Sequence, residues 1–304
     1  MKKLRERARV LSAVRAFFDA RGFVEVQTPA MVPSPGLDLH LDAFEITSGD
    51  AGRPRWLSTS PEQQMKRLLA EGWERIYQVA PAFRRGESGA RHNPEFTMLE
   101  WYRAGAGMAD VMADTEQLVA SVTGGSVALQ GRVVDVRPPV ARLGVCEAFE
   151  RFAGWSRERT LEAARADEDA YFRTLVETVE PAIERLPHAV FLLDYPATQA
   201  SLARKKPDDP LLAERFELYV AGVELCNGFG ELVDPAEQRA RFEHDQRERA
   251  ARGLPAYPID ERFLEALARM PPSGGNALGL DRLVALACGT TAIAEVVAFT
   301  RDEL

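Results

Sequence analysis

Thiols are scarce in this chain: 304 residues carry only Cys146, Cys226 and Cys288. They lie far apart with no paired spacing, which excludes a disulfide framework and a cysteine-built zinc site. A reducing compartment, the cytoplasm, is expected from that usage. The four histidines, His40, His92, His188 and His244, show no ligand spacing, and all but His92 read as surface or structural residues. Neither a Gly-x-x-x-x-Gly-Lys phosphate loop nor a Gly-x-Gly-x-x-Gly fingerprint occurs, so a nucleotide site must be assembled from side chains. No nucleophile elbow occurs, so covalent catalysis by a side chain has no support. A long apolar run is missing too: the most apolar stretch, 283–299, is broken by Glu295 and by Gly289-Thr290-Thr291, and no membrane span is expected. The first nine residues are too charged for a signal peptide. Finally, basic residues are in deficit, 38 against 46 acidic, for a net charge of −8. That balance argues against holding nucleic acid through bulk charge and leaves room for a local basic site.

What is present is an ordinary globular balance, 46% hydrophobic and 28% charged, which excludes wholesale disorder. Leu4, Val10, Leu11, Val14, Phe17 and Phe18 predict a helix over 2–20, stopped at Gly22. Residues 23–27 read as a short strand, and 41–46 and 55–58 as strands around a glycine-containing turn. Ser60 and Pro61 read as N-cap and first helical residue, with Gln63 completing a capping box, for a helix to about 71. Strands at 75–80 and 96–102 flank a polar loop, 84–94. A helix follows at 109–122, then a linker at 123–130 and a strand at 132–136. Residues 138–185 read as mostly helical, and 190–194 as a buried strand. Ala221-Gly222 predicts a hairpin between 217–220 and 223–227. Helices are expected at 235–252, 260–270 and 281–288, the last led in by 277–280. With no repeat and no evident linker, one mixed α+β domain around an antiparallel sheet is the simplest reading, with 138–185 as a helical insertion.

Three segments carry candidate chemistry. In the first, 83–102, Arg84, Arg85 and Arg91 sit in a long loop between strands. Guanidinium forks match phosphate oxygens, and Phe96 at the start of the return strand could stack on a base. In the second, 274–283, glycines allow close backbone approach and Arg282 stands at a strand-to-helix junction. In the third, Glu217, Glu224 and Glu231 recur every seventh residue. A two-residue turn at 221–222 pairs 217 with 226 and 219 with 224, so Glu217 and Glu224 share a face. Two carboxylates there repel unless a cation lies between them, which suggests Mg²⁺ held with a polyphosphate. Glu231 reaches that face only past a bulge, which Gly228 or Gly230 could supply. The bland alternatives are a solvated loop, a plain strand–helix turn and a charged edge strand.

Taken together, these segments resemble class II aminoacyl-tRNA synthetases of the lysyl subgroup. The loop with Arg91-His-Asn-Pro-Glu-Phe-Thr-Met-Leu-Glu100 resembles motif 2, Gly279-Leu-Asp-Arg282 motif 3, and Gly22-Phe-Val-Glu-Val-Gln-Thr-Pro29 with its preceding helix motif 1, the dimer-forming element. Ser58-Thr-Ser-Pro-Glu-Gln-Gln-Met-Lys-Arg67 and Glu214-Arg-Phe-Glu-Leu-Tyr219 are lysyl-like as well. Lysyl synthetases carry an anticodon-binding barrel before motif 1, and here the chain starts with the motif 1 helix. A free-standing catalytic core of this kind resembles the elongation factor P–(R)-β-lysine ligase family. The stretch from Asn93 to Arg103, the Arg-Ala-Ala-Arg-Gly-Leu-Pro at 249–255 and an alanine at 277 point the same way.

The resemblance implies an α+β class II catalytic domain, an antiparallel sheet flanked by helices. It implies an ATP- and Mg²⁺-dependent ligase that activates (R)-β-lysine or lysine and transfers it to a lysine of elongation factor P, acting as a homodimer, with tRNA not the expected acceptor. Carried over by motif, Arg84 and Arg282 are the catalytic phosphate ligands. Arg85, Gly86, His92, Asn93, Phe96, Glu224, Leu225 and Gly279 complete the ATP site. Ser60, Pro61, Glu62, Tyr102, Glu231 and Ala277 bind the amino acid, and Glu217 and Glu224 hold the metal. One position departs from the motif: the usual Phe-Arg-x-Glu has Gly86 in place of its glutamate, with Glu87 next along. Either the loop shifts by one residue or adenine is read by backbone alone.

Overall fold

A computed structural model of the chain describes residues 2–47, 54–300 and 303. Along the chain run α1 (Lys2–Asp19), β1 (Val24–Glu25), β2 (Met31–Val32), β3 (Glu45–Ile46), β4 (Arg55–Leu57), α2 (Glu62–Ala70), β5 (Arg75–Phe83), β6 (Glu95–Ala104) and α3 (Met108–Thr123). Next come β7 (Ser126–Leu129), β8 (Arg132–Asp135), β9 (Ala141–Gly144), α4 (Val145–Ala153), α5 (Arg157–Ala166), α6 (Glu168–Thr174), a π-turn over Leu175–Val179 and α7 (Glu180–Glu184). The chain closes with β10 (Val190–Pro196), β11 (Leu212–Val220), β12 (Val223–Gly230), α8 (Pro235–Ala251), α9 (Glu261–Leu267), β13 (Ser273–Gly279) and α10 (Leu280–Ala287). The turn expected between β3 and β4 lies outside the described residues.

Eight strands form one sheet in the order β1-β5-β6-β13-β12-β11-β10-β9. Only its two edge pairs, β1 with β5 and β9 with β10, are parallel. The strands alternate faces because strand side chains do. Leu99, Trp101, Leu218, Cys226 and Leu278 point to one face and join Val10, Val14, Phe18, Leu118, Leu283 and Val284 of α1, α3 and α10 in the main core. The other face is the working one. Its centre is open because β13 places only Gly275, Ala277 and Gly279 there. Register then sets three rows across the sheet: Tyr102, Gly275, Phe229 and Arg215; Gln78, Glu100, Ala277, Asn227 and Glu217; Met98 with Gly279, and Glu224 with Tyr219.

Several local expectations change. The expected linker at 123–130 contains β7, whose Val127 and Leu129 are buried while Ser126 and Ala128 are exposed. Residues 138–185 are not all helix: β9 joins the sheet, and α4 to α7 form the crossover to its parallel neighbour β10. That block buries Phe149, Tyr171 and Val179 against Val190 and Leu192. Helix α2 begins at Glu62, with Pro61 at the cap position and no side-chain capping bond to it. The capping box fails because Ser60 Oγ accepts from the Glu62 N–H at 3.0 Å and donates to Glu100 at 2.5 Å, leaving Gln63 out. The hairpin turn at Ala221-Gly222 forms, with both φ positive, 51° and 74°, as a two-residue turn of this hand requires. Tyr219 pairs with Glu224 as expected, but Glu217 pairs with Asn227 rather than Cys226, because a bulge lies between the Leu218 and Tyr219 pairings. The extra residue is Leu225, not Gly228 or Gly230. It corrects the parity of the residues that follow, so that Glu231 joins Glu217 and Glu224 on the working face.

Candidate active site

The working face opens into a cleft of about 870 Å³. Arg84, at the end of β5, and Arg282, on the first turn of α10, both border it, with His92, Phe96, Glu224, Leu225 and Gly279. The two motifs far apart in sequence therefore meet. Arg282 donates to the Glu224 carbonyl at 2.6 Å, and its other Nη lies 2.7 Å from His92 Nε2. Burial, and then the Arg282 charge, hold the His92 pKa below its ordinary value. The ring therefore stays neutral, and its Nε2 accepts a hydrogen bond from the guanidinium. The Arg84 guanidinium lies 5.1 Å from the centre of the Phe96 ring, within cation–π range. Its Nη1 also stands 3.4 Å from Glu87. Glu87 borders the cleft, so a carboxylate is present one residue beyond the glycine that replaces it in the motif. Gly86 has a φ of 89°, a left-handed turn that lets Glu87 face inward.

Three residues of the expected nucleotide set do not border the cleft. Arg85 turns to Asp42, 3.4 Å away. Gly86 shapes the turn only, and Asn93 donates to the Glu95 carbonyl at 3.1 Å. These three shape the loop rather than the cavity wall.

The expected metal pair is asymmetric. Glu224 borders the cleft, whereas Glu217 lies behind it, accepting from Arg215 at 2.7 Å and from Tyr219 at 2.8 Å. Burial, and next the charge of Glu217, raise the Glu224 carboxyl to about 7. A group so penalised for ionising suits a site completed by an added cation. Among the described residues no cluster of three acidic, histidine or cysteine side chains could hold a metal unaided. That suits Mg²⁺, which takes one or two carboxylates and leaves its other positions to phosphate and water.

At the other end lies a buried polar knot. Glu62, Ser60 and Ala277 border the cleft, while Tyr102 and Glu231 lie just beneath its floor and Pro61 only leads into α2. Glu231 is fully buried, and its Oε1 has no hydrogen-bond partner. A Cβ on Gly275 would collide with that oxygen and with the Tyr102 ring, so the glycine makes room for both. Sequence reasoning missed Glu100, Lys66 and Arg215. Glu100 is fully buried, accepting from Ser60 at 2.5 Å and from Tyr102 at 3.0 Å. Burial, and then the charge of Glu62, push it up to about 8. Lys66, 1% exposed, sits 2.6 Å from Glu231 and also pairs with Glu62. The signal was available for Glu100: it falls two residues before Tyr102, on the same strand face.

Comparison with known proteins identifies the family. The model of the family "tRNA synthetases class II (D, K and N)" matches residues 1–303. A protein of Haemophilus influenzae (strain PittGG) named elongation factor P–(R)-β-lysine ligase is 41% identical, the match covering 99% of this chain and 96% of that protein. Proteins of the same name from Salmonella dublin and Salmonella heidelberg are also 41% identical, each match covering 98% of this chain and 95% of theirs. The chain belongs to the class II tRNA synthetases of the D, K and N group and, within them, to the elongation factor P–(R)-β-lysine ligase family.

Proposed function

We propose that this chain is an ATP-dependent ligase that activates (R)-β-lysine, or lysine, as an aminoacyl-adenylate and transfers the acyl group to a lysine side chain of elongation factor P. The observation that carries this reading is one cleft bordered by Arg84 and Arg282 and also by Ser60 and Glu62, which connect it to the buried carboxyls of Glu100 and, through Lys66, Glu231. An amino acid with a distal ammonium spans such a cleft only one way, its carboxylate toward the arginines and its far amine toward Glu62, Glu100 and Glu231.

The substrate carboxylate oxygen attacks the α-phosphorus of ATP, an acyl–phosphate bond forms and pyrophosphate leaves. Arg84 and Arg282 point fixed positive charge at the phosphates as negative charge shifts onto the leaving group. Phe96 supplies an apolar face for the base, and Glu87 a carboxylate able to accept from its exocyclic amine. Glu224, with Glu217 behind it, would hold Mg²⁺, which neutralises phosphate charge. In the second step the acceptor lysine, as a free amine, attacks the acyl carbon. An amide forms, AMP leaves, and the amine's proton is lost. Positioning carries both steps, in keeping with the absence of a protein nucleophile. Cytoplasmic location and a homodimer built on the α1–β1 element belong to the same reading. Among the described residues, no helix is long and apolar enough to cross a membrane.

A label-transfer assay tests it. Labelled (R)-β-lysine or lysine is supplied with ATP and Mg²⁺, elongation factor P and bulk tRNA being offered together. Label on elongation factor P, lost in Arg84→Ala and Arg282→Ala, is the expected result. Loss of one such donor costs on the order of 100- to 1,000-fold. Label on tRNA alone would overturn the acceptor assignment, and wild-type exchange of pyrophosphate by Arg84→Ala would overturn the role of that residue.

A further inference from the structure

The buried amine end of the cleft contains a cation of its own. Lys66 stands one helical turn after Glu62 on α2, and its ammonium bridges Glu62 and Glu231. Unlike Glu62, Lys66 does not border the cleft. It takes Oε2 of Glu231, 2.6 Å away. Neither oxygen has a hydrogen-bond partner although the residue is wholly buried; Oε2 has the Lys66 ion pair, and Oε1 has neither. A buried carboxylate oxygen left unpaired is costly, and this one faces Gly275 and Tyr102, where a Cβ would not fit.

We propose that Lys66 is a positioning residue, a permanent counter-ion that holds one oxygen of Glu231, keeps that carboxylate ionised and reserves the other oxygen for the substrate's distal ammonium. The inference rests on the reading of this cleft as an amino-acid site. It also makes Lys66 a determinant of specificity. Three carboxylates converge here. Burial holds the Glu100 carboxyl at about 8, and the Lys66 ammonium is shared between Glu62 and Glu231. A neutral side chain of equal length would leave the remaining oxygen of Glu231 unpaired.

The charged and titratable groups facing Glu231 are Lys66 and Glu62 from α2, Glu100 and Tyr102 from β6, and Arg204, which is itself paired to Glu214 of β11 at 2.8 Å. Burial raises the Glu231 carboxyl to about 7, and Lys66 is the largest influence pulling it down. Without that ammonium, Glu231 takes up a proton and loses its charge for the substrate. Burial alone would lower the Lys66 pKa, but the charges of Glu231 and Glu62 outweigh it and hold the ammonium protonated.

The test compares wild type, Lys66→Met, Lys66→Arg, Glu231→Gln and the Lys66→Met/Glu231→Gln double variant. One readout is infrared titration of the Glu231 carboxyl, which needs no substrate. The other is the pH dependence of amino-acid-stimulated ATP–pyrophosphate exchange. In Lys66→Met the carboxyl titrates at higher pH than in wild type. The KM for (R)-β-lysine or lysine rises on the order of 100-fold at neutral pH, kcat changes far less, and KM recovers as pH is raised through the new pKa. Lys66→Arg, which keeps the charge, holds the wild-type pH profile. In the Glu231→Gln background, Lys66→Met changes KM by less than about threefold, since coupled partners are not additive. An unmoved carboxyl pKa, a KM loss independent of pH, or simple additivity would overturn the proposal. Wild-type exchange stimulated by neither amino acid would instead overturn the substrate reading, and the carboxyl titration would still decide the role of Lys66.

Discussion

Glu100 shows how a functional group is set at the scale of one residue. Its carboxyl is held at about 8 against an ordinary 4.5. Between those values the folded chain keeps a proton that the unfolded chain has lost. Stability therefore falls as pH rises through that window, by roughly a few kcal/mol at most. Glutamine has the same shape and no proton to lose. Glu100→Gln is expected to melt progressively higher than wild type as pH rises from 4.5 toward 8, and equally near 4.5. The same variant loses amino-acid-dependent pyrophosphate exchange, because it cannot become anionic when an ammonium arrives. Thermal melts across pH, beside exchange rates, check both halves. A constant difference in midpoint at every pH would contradict the buried proton. This is the stability–activity trade expected where a site is built from groups that the fold disfavours.

At the scale of the element, β13 decides where the cleft can exist. Its Gly275, Ala277 and Gly279 alternate with Gly274, Asn276 and Leu278, so the sheet has bulk on its core face and a trough on the other. Gly275→Ala is the sharpest probe. The added methyl meets Glu231 Oε1 and Tyr102, both wholly or almost wholly buried and unable to retreat without strain. The variant is expected to raise KM for the amino acid at least about tenfold while leaving ATP affinity, read by calorimetry, within about threefold of wild type. An equal loss of both would point to general collapse of β13. The β11–β12 hairpin argues similarly. The alternation of the strand and its two-residue turn were legible, because 217 and 224 flank Ala221-Gly222. The bulge at Leu225 was not, because the choice among Leu225, Gly228 and Gly230 is made by what each packs against. Leu225 joins the main core, whereas a Cβ on Gly228 would strike Phe216 and one on Gly230 would strike Glu214, so those two positions are already tightly filled.

For the whole molecule, α1 and the edge strand β1 form one flank of the sheet, and Val24 and Trp73 are exposed there at 44% and 43%. A homodimer built on that element predicts a solution mass near twice the 33.7 kDa of the chain, measured by light scattering at micromolar concentration. A charged residue at Val24 is expected to shift that mass toward the monomer. A monomer at all concentrations would remove the assembly inferred from motif 1.

What the sequence by itself determined was the set of local signals: hydrophobic periods, the Ala221-Gly222 turn, and the ordered motifs that carry Arg84, Phe96, Glu224 and Arg282. Each is a short-range pattern, legible because it depends on neighbours in the chain. Only the tertiary structure decided how charge is compensated at the buried end. The pairing of Lys66 with Glu231 spans 165 positions and follows from α2 packing over β6. The proton on Glu100 follows from its being sealed beneath Ser60 and Tyr102. Burial and long-range Coulomb energy are properties of the packed molecule, and no local pattern encodes them.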